Sequence, residues 1–147
     1  MSSIGFKNLN VFREIHIIAW HPTLVDLIQW MIVRFNKLAT GNHSTLVITS
    51  GFRHDGSTHD SVPLKAIDIR SSVFDNPEDI AGEVNAHWTY DPERPTKLCC
   101  LLHAVCPNCK TSNTVPLHDN CVICGENIKA RWHFHCQVHP NTQYLGG

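Results

Sequence analysis

Apolar and polar positions alternate strictly through ARWHFHCQVHP, residues 130–140. Trp132, Phe134, Cys136 and Val138 fall on one side of an extended chain, and His133, His135, Gln137 and His139 on the other. The pattern predicts a half-buried strand whose apolar face enters a core while two imidazoles share the opposite face. Upstream the period changes. In HPTLVDLIQWMIVRFNKLA, Leu24, Leu27, Ile28, Met31, Phe35 and Leu38 recur at spacings of three and four, predicting an amphipathic helix that faces a core and is ended by Thr40-Gly41-Asn42. STLVITS reads as a short buried strand, and KAIDIRS as another with Ile67 and Ile69 on one face and Asp68 on the other. A second helix is expected across DNPEDIAGEVNAHW, with Asn76 as N-cap, Pro77 at the first helical position and acids in the first turn. TKLCCLLHAV reads as an apolar strand with His103 near its end. This order predicts an α+β domain, a small mainly antiparallel sheet with two helices packed on it, in one unit spanning 1–147.

Length and composition narrow the classes. A chain of 147 residues, 42% hydrophobic, suits one compact domain with a single core. The net charge of −1 with neutral histidines lacks the basic footprint of a nucleic-acid binder, so no nucleic-acid partner is expected. The apolar stretch around 24–35 is interrupted by Asp26, Gln29 and Arg34, so no membrane span is expected. The N-terminus lacks a basic region leading into an apolar run and a small-residue cleavage site, the pattern of a protein that is cytoplasmic when synthesised. The unusual counts are 11 His and 7 Cys, residue types that together point to transition-metal ligation.

The cysteines carry the strongest local signal. In CPNCKTSNTVPLHDNCVICG, Cys106 and Cys109 form one CxxC and Cys121 and Cys124 another, with eleven residues between the pairs. Two such turns can wrap four thiolates tetrahedrally around one zinc, so residues 106–128 are expected to form an inserted knuckle, zinc-ribbon-like, with a structural Zn2+. Closed by four sulfurs, that site has no position for substrate. Cys99, Cys100 and Cys136 are expected to be small buried hydrophobes.

A second metal site is expected from His59, Asp68 and His135. Alone, Asp68 could cap a turn or pair with Arg70, and His59 could be a solvated loop residue. Together the three supply two imidazoles and a carboxylate, a ligand set that leaves a fourth position open, as catalytic zinc requires. His103, following the apolar CCLL run, either lines this site from the neighbouring strand or ends its own.

Taken together, Ser50-Gly51-Phe52-Arg53, Ser57-Thr58-His59, Ala66-Ile67-Asp68 and His133-Phe134-His135 resemble the zinc peptidase superfamily. Its members include D-alanyl-D-alanine carboxypeptidases, phage endolysin peptidases, lysostaphin-type enzymes and the hedgehog domain. The resemblance implies that fold, a catalytic Zn2+ on His59, Asp68 and His135, His133 beside the reacting water, and Arg53 holding a substrate carboxylate or carbonyl. Two departures stand out. Eight residues separate His59 from Asp68 where many members have six, which keeps His54 as an alternative ligand. Trp132 occupies the position where carboxypeptidase-like members carry an acidic base, so the base is either His133 or a carboxylate such as Glu126. The implied function is a zinc metallopeptidase of phage type acting on bacterial cell-wall peptide after release, and the chain is expected to be a monomer; the alternatives are a catalytically inert zinc-binding module or a virion or interaction protein of the same fold, and a zinc-ribbon nucleic-acid binder.

Overall fold

The computed structural model describes residues 4–7, 20–36, 38, 46–51 and 63–146. In chain order they form β1 (Ile4–Phe6), α1 (Pro22–Phe35), β2 (Leu46–Ser50), β3 (Ala66–Arg70), α2 (Pro77–His87), β4 (Trp88–Thr89), β5 (Cys100–Val105), β6 (Ser112–Thr114), a 3-10 turn (Lys129–Arg131), β7 (His133–Gln137) and β8 (Gln143–Tyr144). Six strands make one sheet in the order β1-β2-β3-β7-β5-β6, and β4 and β8 form a separate antiparallel pair. Among the described residues of the large sheet, the β1–β2 pairing is parallel and the β2–β3, β3–β7, β7–β5 and β5–β6 pairings are antiparallel. The architecture is therefore α+β with two helices among the described residues, as the order of periodic segments predicts.

Strand alternation divides the sheet into two faces with different chemistry. Ile67 and Ile69 of β3, Phe134 and Cys136 of β7, and Cys100 and Leu102 of β5 join one core with Leu24, Leu27, Ile28, Met31 and Phe35 of α1 and Ile80, Ala81 and Val84 of α2. Fully burying one such side chain contributes about 1.5–3 kcal/mol, so this face dominates the stability of the fold. Aromatic edges tie the layers together: Phe74 lies 6.1 Å from Phe134 and 6.3 Å from Phe35, centroid to centroid. The opposite face presents Asp68, His103, His133 and His135.

α1 starts where Pro22 presets the first helical φ and the His21 ring accepts the Thr23 N–H at 3.2 Å. It ends at Phe35, one turn earlier than the periodicity suggests. Leu38 consequently lies past the last turn and is 55% exposed, a correction to its expected place in the core. Asn76 sits at the N-cap of α2, but its side chain makes no cap hydrogen bond there. Its backbone, at φ −124° and ψ 71°, leaves Pro77 and the first-turn acids Glu78 and Asp79 as the start signal. The short strands β1, β4, β6 and β8 have no counterpart in the sequence reading, because two or three residues carry too little periodicity.

Between β5 and β7 the chain leaves the sheet, returns as β6 against His103–Val105, and forms a small second cluster of Ala104, Cys106, Cys121 and Ile128. Trp132 is partly buried and packs against both clusters, and its indole N–H donates to the His118 carbonyl at 2.9 Å. Among the described residues, no helix is long and apolar enough to cross a membrane.

Candidate functional site

The four knuckle cysteines converge as their spacing requires. Their sulfurs all lie within 4.8 Å of one another, with Cys106 and Cys124 at 3.5 Å and Cys109 and Cys121 at 3.6 Å. Zinc–thiolate bonds of about 2.3 Å in a tetrahedron place sulfurs about 3.8 Å apart, so the group fits a metal ion of that kind. Both CxxC turns close alike. The Lys110 N–H donates to the Cys106 carbonyl at 3.0 Å, the Gly125 N–H to the Cys121 carbonyl at 2.9 Å, and both donors have left-handed backbones, at φ 64° and 77°. Backbone N–H groups of Cys124 and Ile123 hold the Cys121 thiol down at about 6, and the Asn108 side chain with the Glu126 N–H lowers that of Cys124. Donors aimed at sulfur favour the thiolate, the form that ligates metal. All seven cysteines are free of disulfides, and Cys99, Cys100 and Cys136 are buried, as expected.

On the open face of the sheet, register assembles the second group. Asp68 on β3 stands opposite His135 on β7, and Arg70 opposite His133. On the other flank of β7, β5 sets Leu101 opposite His135 and His103 opposite His133. A β-bulge in β2 brings Ser50 opposite Asp68. Directly opposed residues hold their Cβ atoms about 5 Å apart, so the pairing converts a distance of 67 residues in sequence into contact. His135 Nδ1 lies 3.1 Å from Asp68 Oδ1, and His133 Nε2 lies 3.8 Å from Asp68 Oδ2.

Each ring is oriented by a specific neighbour. The Arg131 carbonyl, 2.9 Å from His133 Nδ1, accepts only, so Nδ1 carries a hydrogen, and in the neutral form of the ring the lone pair is on Nε2, the nitrogen 3.8 Å from Asp68 Oδ2. His135 Nε2 lies 3.1 Å from Gln137 Oε1. His103 Nδ1 is 3.1 Å from Ser112 Oγ, and its ring centre is 4.6 Å from that of His133 and 6.1 Å from that of His135. Burial, and then the two adjacent imidazoles, push the His103 pKa down to about 4, which keeps it neutral near pH 7.

The Asp68–His135 spacing fits two ligands of one zinc ion. Bonds of about 2.0–2.1 Å to nitrogen and oxygen in a tetrahedron put the donor atoms about 3.3 Å apart, close to the 3.1 Å found. These two residues form one edge of such a site. Among the described residues, the cysteine group alone brings three or more His, Cys, Asp or Glu ligand atoms within 4.8 Å of one another. The expected third ligand His59, its alternative His54, and Arg53 lie outside the described residues. Glu126, the carboxylate considered as base, is exposed on the knuckle and does not line the groove, whereas its neighbour Asn127 does.

This group opens into a groove of about 1310 Å³. Its walls come from Thr49 and Ser50, from Arg70, Ser71 and Ser72, and from the returning knuckle segment Asn127 and Lys129–Trp132. Lys7, Arg70, Lys129 and Arg131 give it a cationic lining around Asp68. His103 proves to line the groove rather than merely end its strand. Gln137 carried a legible signal in its place two residues beyond His135 on one strand face, but only the hydrogen-bond partner gives it a role. His139 lies past the end of β7, beside Asp91 at 3.8 Å and against the Tyr90 ring. No protein-family model matches the chain, and neither the curated proteins nor the solved structures contain a significant match to it.

Proposed function

We propose that the chain is a zinc-dependent hydrolase of peptide amides, with peptide of the bacterial cell wall as substrate and a second, structural zinc in the knuckle. The observation that carries this reading is the carboxylate–imidazole edge of Asp68 and His135 on adjacent strands, at the spacing of two zinc ligands, with the lone pair of His133 directed into the same space. In this reading His59 completes the ligand set. Zinc held by Asp68, His135 and His59 would supply Lewis-acid activation of the scissile carbonyl and of the attacking water.

The remaining work belongs to the chain. His133, its Nδ1–H committed to the Arg131 carbonyl, offers Nε2 to accept a proton from the attacking water and later return it to the leaving amine. His103 stays uncharged beside it, so the neighbourhood adds no competing cation. The cationic groove walls favour a substrate segment bearing carboxylates, and Arg53 is the candidate for its anchor.

Zinc content and fragment analysis test the proposal together. Wild-type protein should bind two zinc ions per chain and His135→Ala one, and digestion of purified peptidoglycan should release fragments whose masses define one amide bond. His133→Ala should retain both ions and lose most turnover. Two ions with no cleavage of any cell-wall substrate would favour an inert binding module. A single ion, unchanged in His135→Ala, would remove the basis for the hydrolase.

A further inference from the structure

We propose that Gln137 is the positioning residue that sets which nitrogen of His135 faces Asp68, an inference that deepens the zinc-site reading above and rests on it for its metal-affinity consequence. Gln137 follows His135 by two residues on the same face of β7, stands opposite Ala66 on β3 and is 4% exposed. Its side-chain Nε2 donates to the Leu98 carbonyl at 2.8 Å. A carbonyl only accepts, so this bond settles the orientation of the amide and leaves Oε1 as the atom 3.1 Å from His135 Nε2. Oε1 also only accepts. Nε2 of His135 therefore carries a hydrogen, and in the neutral form of the ring Nδ1 turns its lone pair toward Asp68 Oδ1 at 3.1 Å.

Two acceptors at that distance repel each other unless a proton or a metal cation lies between them. The relay from Leu98 through Gln137 to His135 thus selects Nδ1 over Nε2 as the nitrogen that faces Asp68 and that a metal there would meet. Without Gln137 the ring has a simpler solution: the hydrogen moves to Nδ1 and donates to Asp68, closing the edge that the metal would occupy. Partners of this kind around metal-binding histidines are typically worth 10–100-fold in metal affinity.

The test reads the tautomer directly. Imidazole nitrogen NMR, whose shifts distinguish the two neutral tautomers from the imidazolium, is recorded across alkaline pH on the full chain carrying one equivalent of zinc, which the four thiolates take first. His135 should show its hydrogen on Nε2 in the wild type and on Nδ1 in Gln137→Leu. Gln137→Met, whose flexible chain fills the same space, controls for packing and should behave as Gln137→Leu. Titration of a second equivalent against a chromophoric chelator should show 10–100-fold weaker binding in both variants, with knuckle zinc retained. A wild-type hydrogen on Nδ1, or a tautomer unchanged in Gln137→Leu and Gln137→Met, overturns the proposal. A wild type that takes no second zinc but keeps the Nε2 hydrogen defeats the hydrolase reading while upholding the role of Gln137.

Discussion

Removing the knuckle metal should unravel one wall of the groove while leaving the main core folded, and the relative sizes of the contributions show why. The apolar content of the knuckle is small: Ile128 is fully buried, and beside it lie Ala104 of β5, Cys106 and Cys121, and parts of Cys109 and Trp132. Burying Ile128 contributes about 3 kcal/mol at most. A structural zinc in such a site contributes about 10–16 kcal/mol at neutral pH, several times more. The main core, by contrast, contains no residue of the cysteine group and spans both helices and the central strands. Cys121→Ser, or chelation of the wild type, should therefore drop the opening free energy of the knuckle to about zero. Hydrogen exchange followed residue by residue measures this. The amides of Cys106, Lys110, Cys121 and Gly125, all bonded within the knuckle, should lose protection, while those of β3 and β7 keep it. Because Asn127 and Lys129–Trp132 line the groove, cleavage should fall as well, even though no ligand of the second site has changed. Knuckle amides that stay protected in metal-free protein would refute the reasoning, since apolar burial and hydrogen bonds would then suffice by themselves.

Other expectations follow from single residues. Phe134→Ala deletes a fully buried ring and its edge contact with Phe74, and should cost about 3–5 kcal/mol in urea unfolding. Lys110→Gly relieves a left-handed backbone at φ 64° and should stabilise the knuckle by about 1 kcal/mol, seen as slower zinc loss to a chelator. Burial, with the adjacent Cys100, raises the Cys99 thiol to about 12, so alkylation in the native state should spare Cys99 and proceed only on unfolding, read by mass spectrometry. The Asp91 carboxylate is held below its ordinary 3.8, first by the Glu93 N–H and also by Arg94 and His139. A depressed acid contributes stability that is present above the unfolded value and lost as pH falls through the folded one. Urea midpoints of the wild type should therefore fall below about pH 4, and Asp91→Asn should be less stable at neutral pH with a flatter profile in that acidic window.

Legibility differed sharply between the two candidate centres. The cysteine group was readable from spacing because each CxxC lies within one turn, so local geometry brings its sulfurs together once two turns meet. The histidine strand was equally readable, since period-two alternation assigns residues to faces without reference to partners. Helix α1 was legible along its buried stripe but not at its end, because Leu38 continues a pattern that the helix itself abandons at Phe35.

What sequence alone determined is thus local: which segments extend or coil, which face of each is apolar, and that four thiols share a knuckle. Tertiary structure decided everything that depends on register. The placement of Asp68 opposite His135, the approach of His103 to His133, and the bond from the Gln137 amide to the Leu98 carbonyl all join residues far apart in the chain. A slip of one residue between β3 and β7 would turn Asp68 away from both imidazoles. Periodicity specifies the face a side chain occupies, but the position along that face is set by packing of the opposite one, where Ile67, Ile69, Phe134 and Cys136 meet the helices.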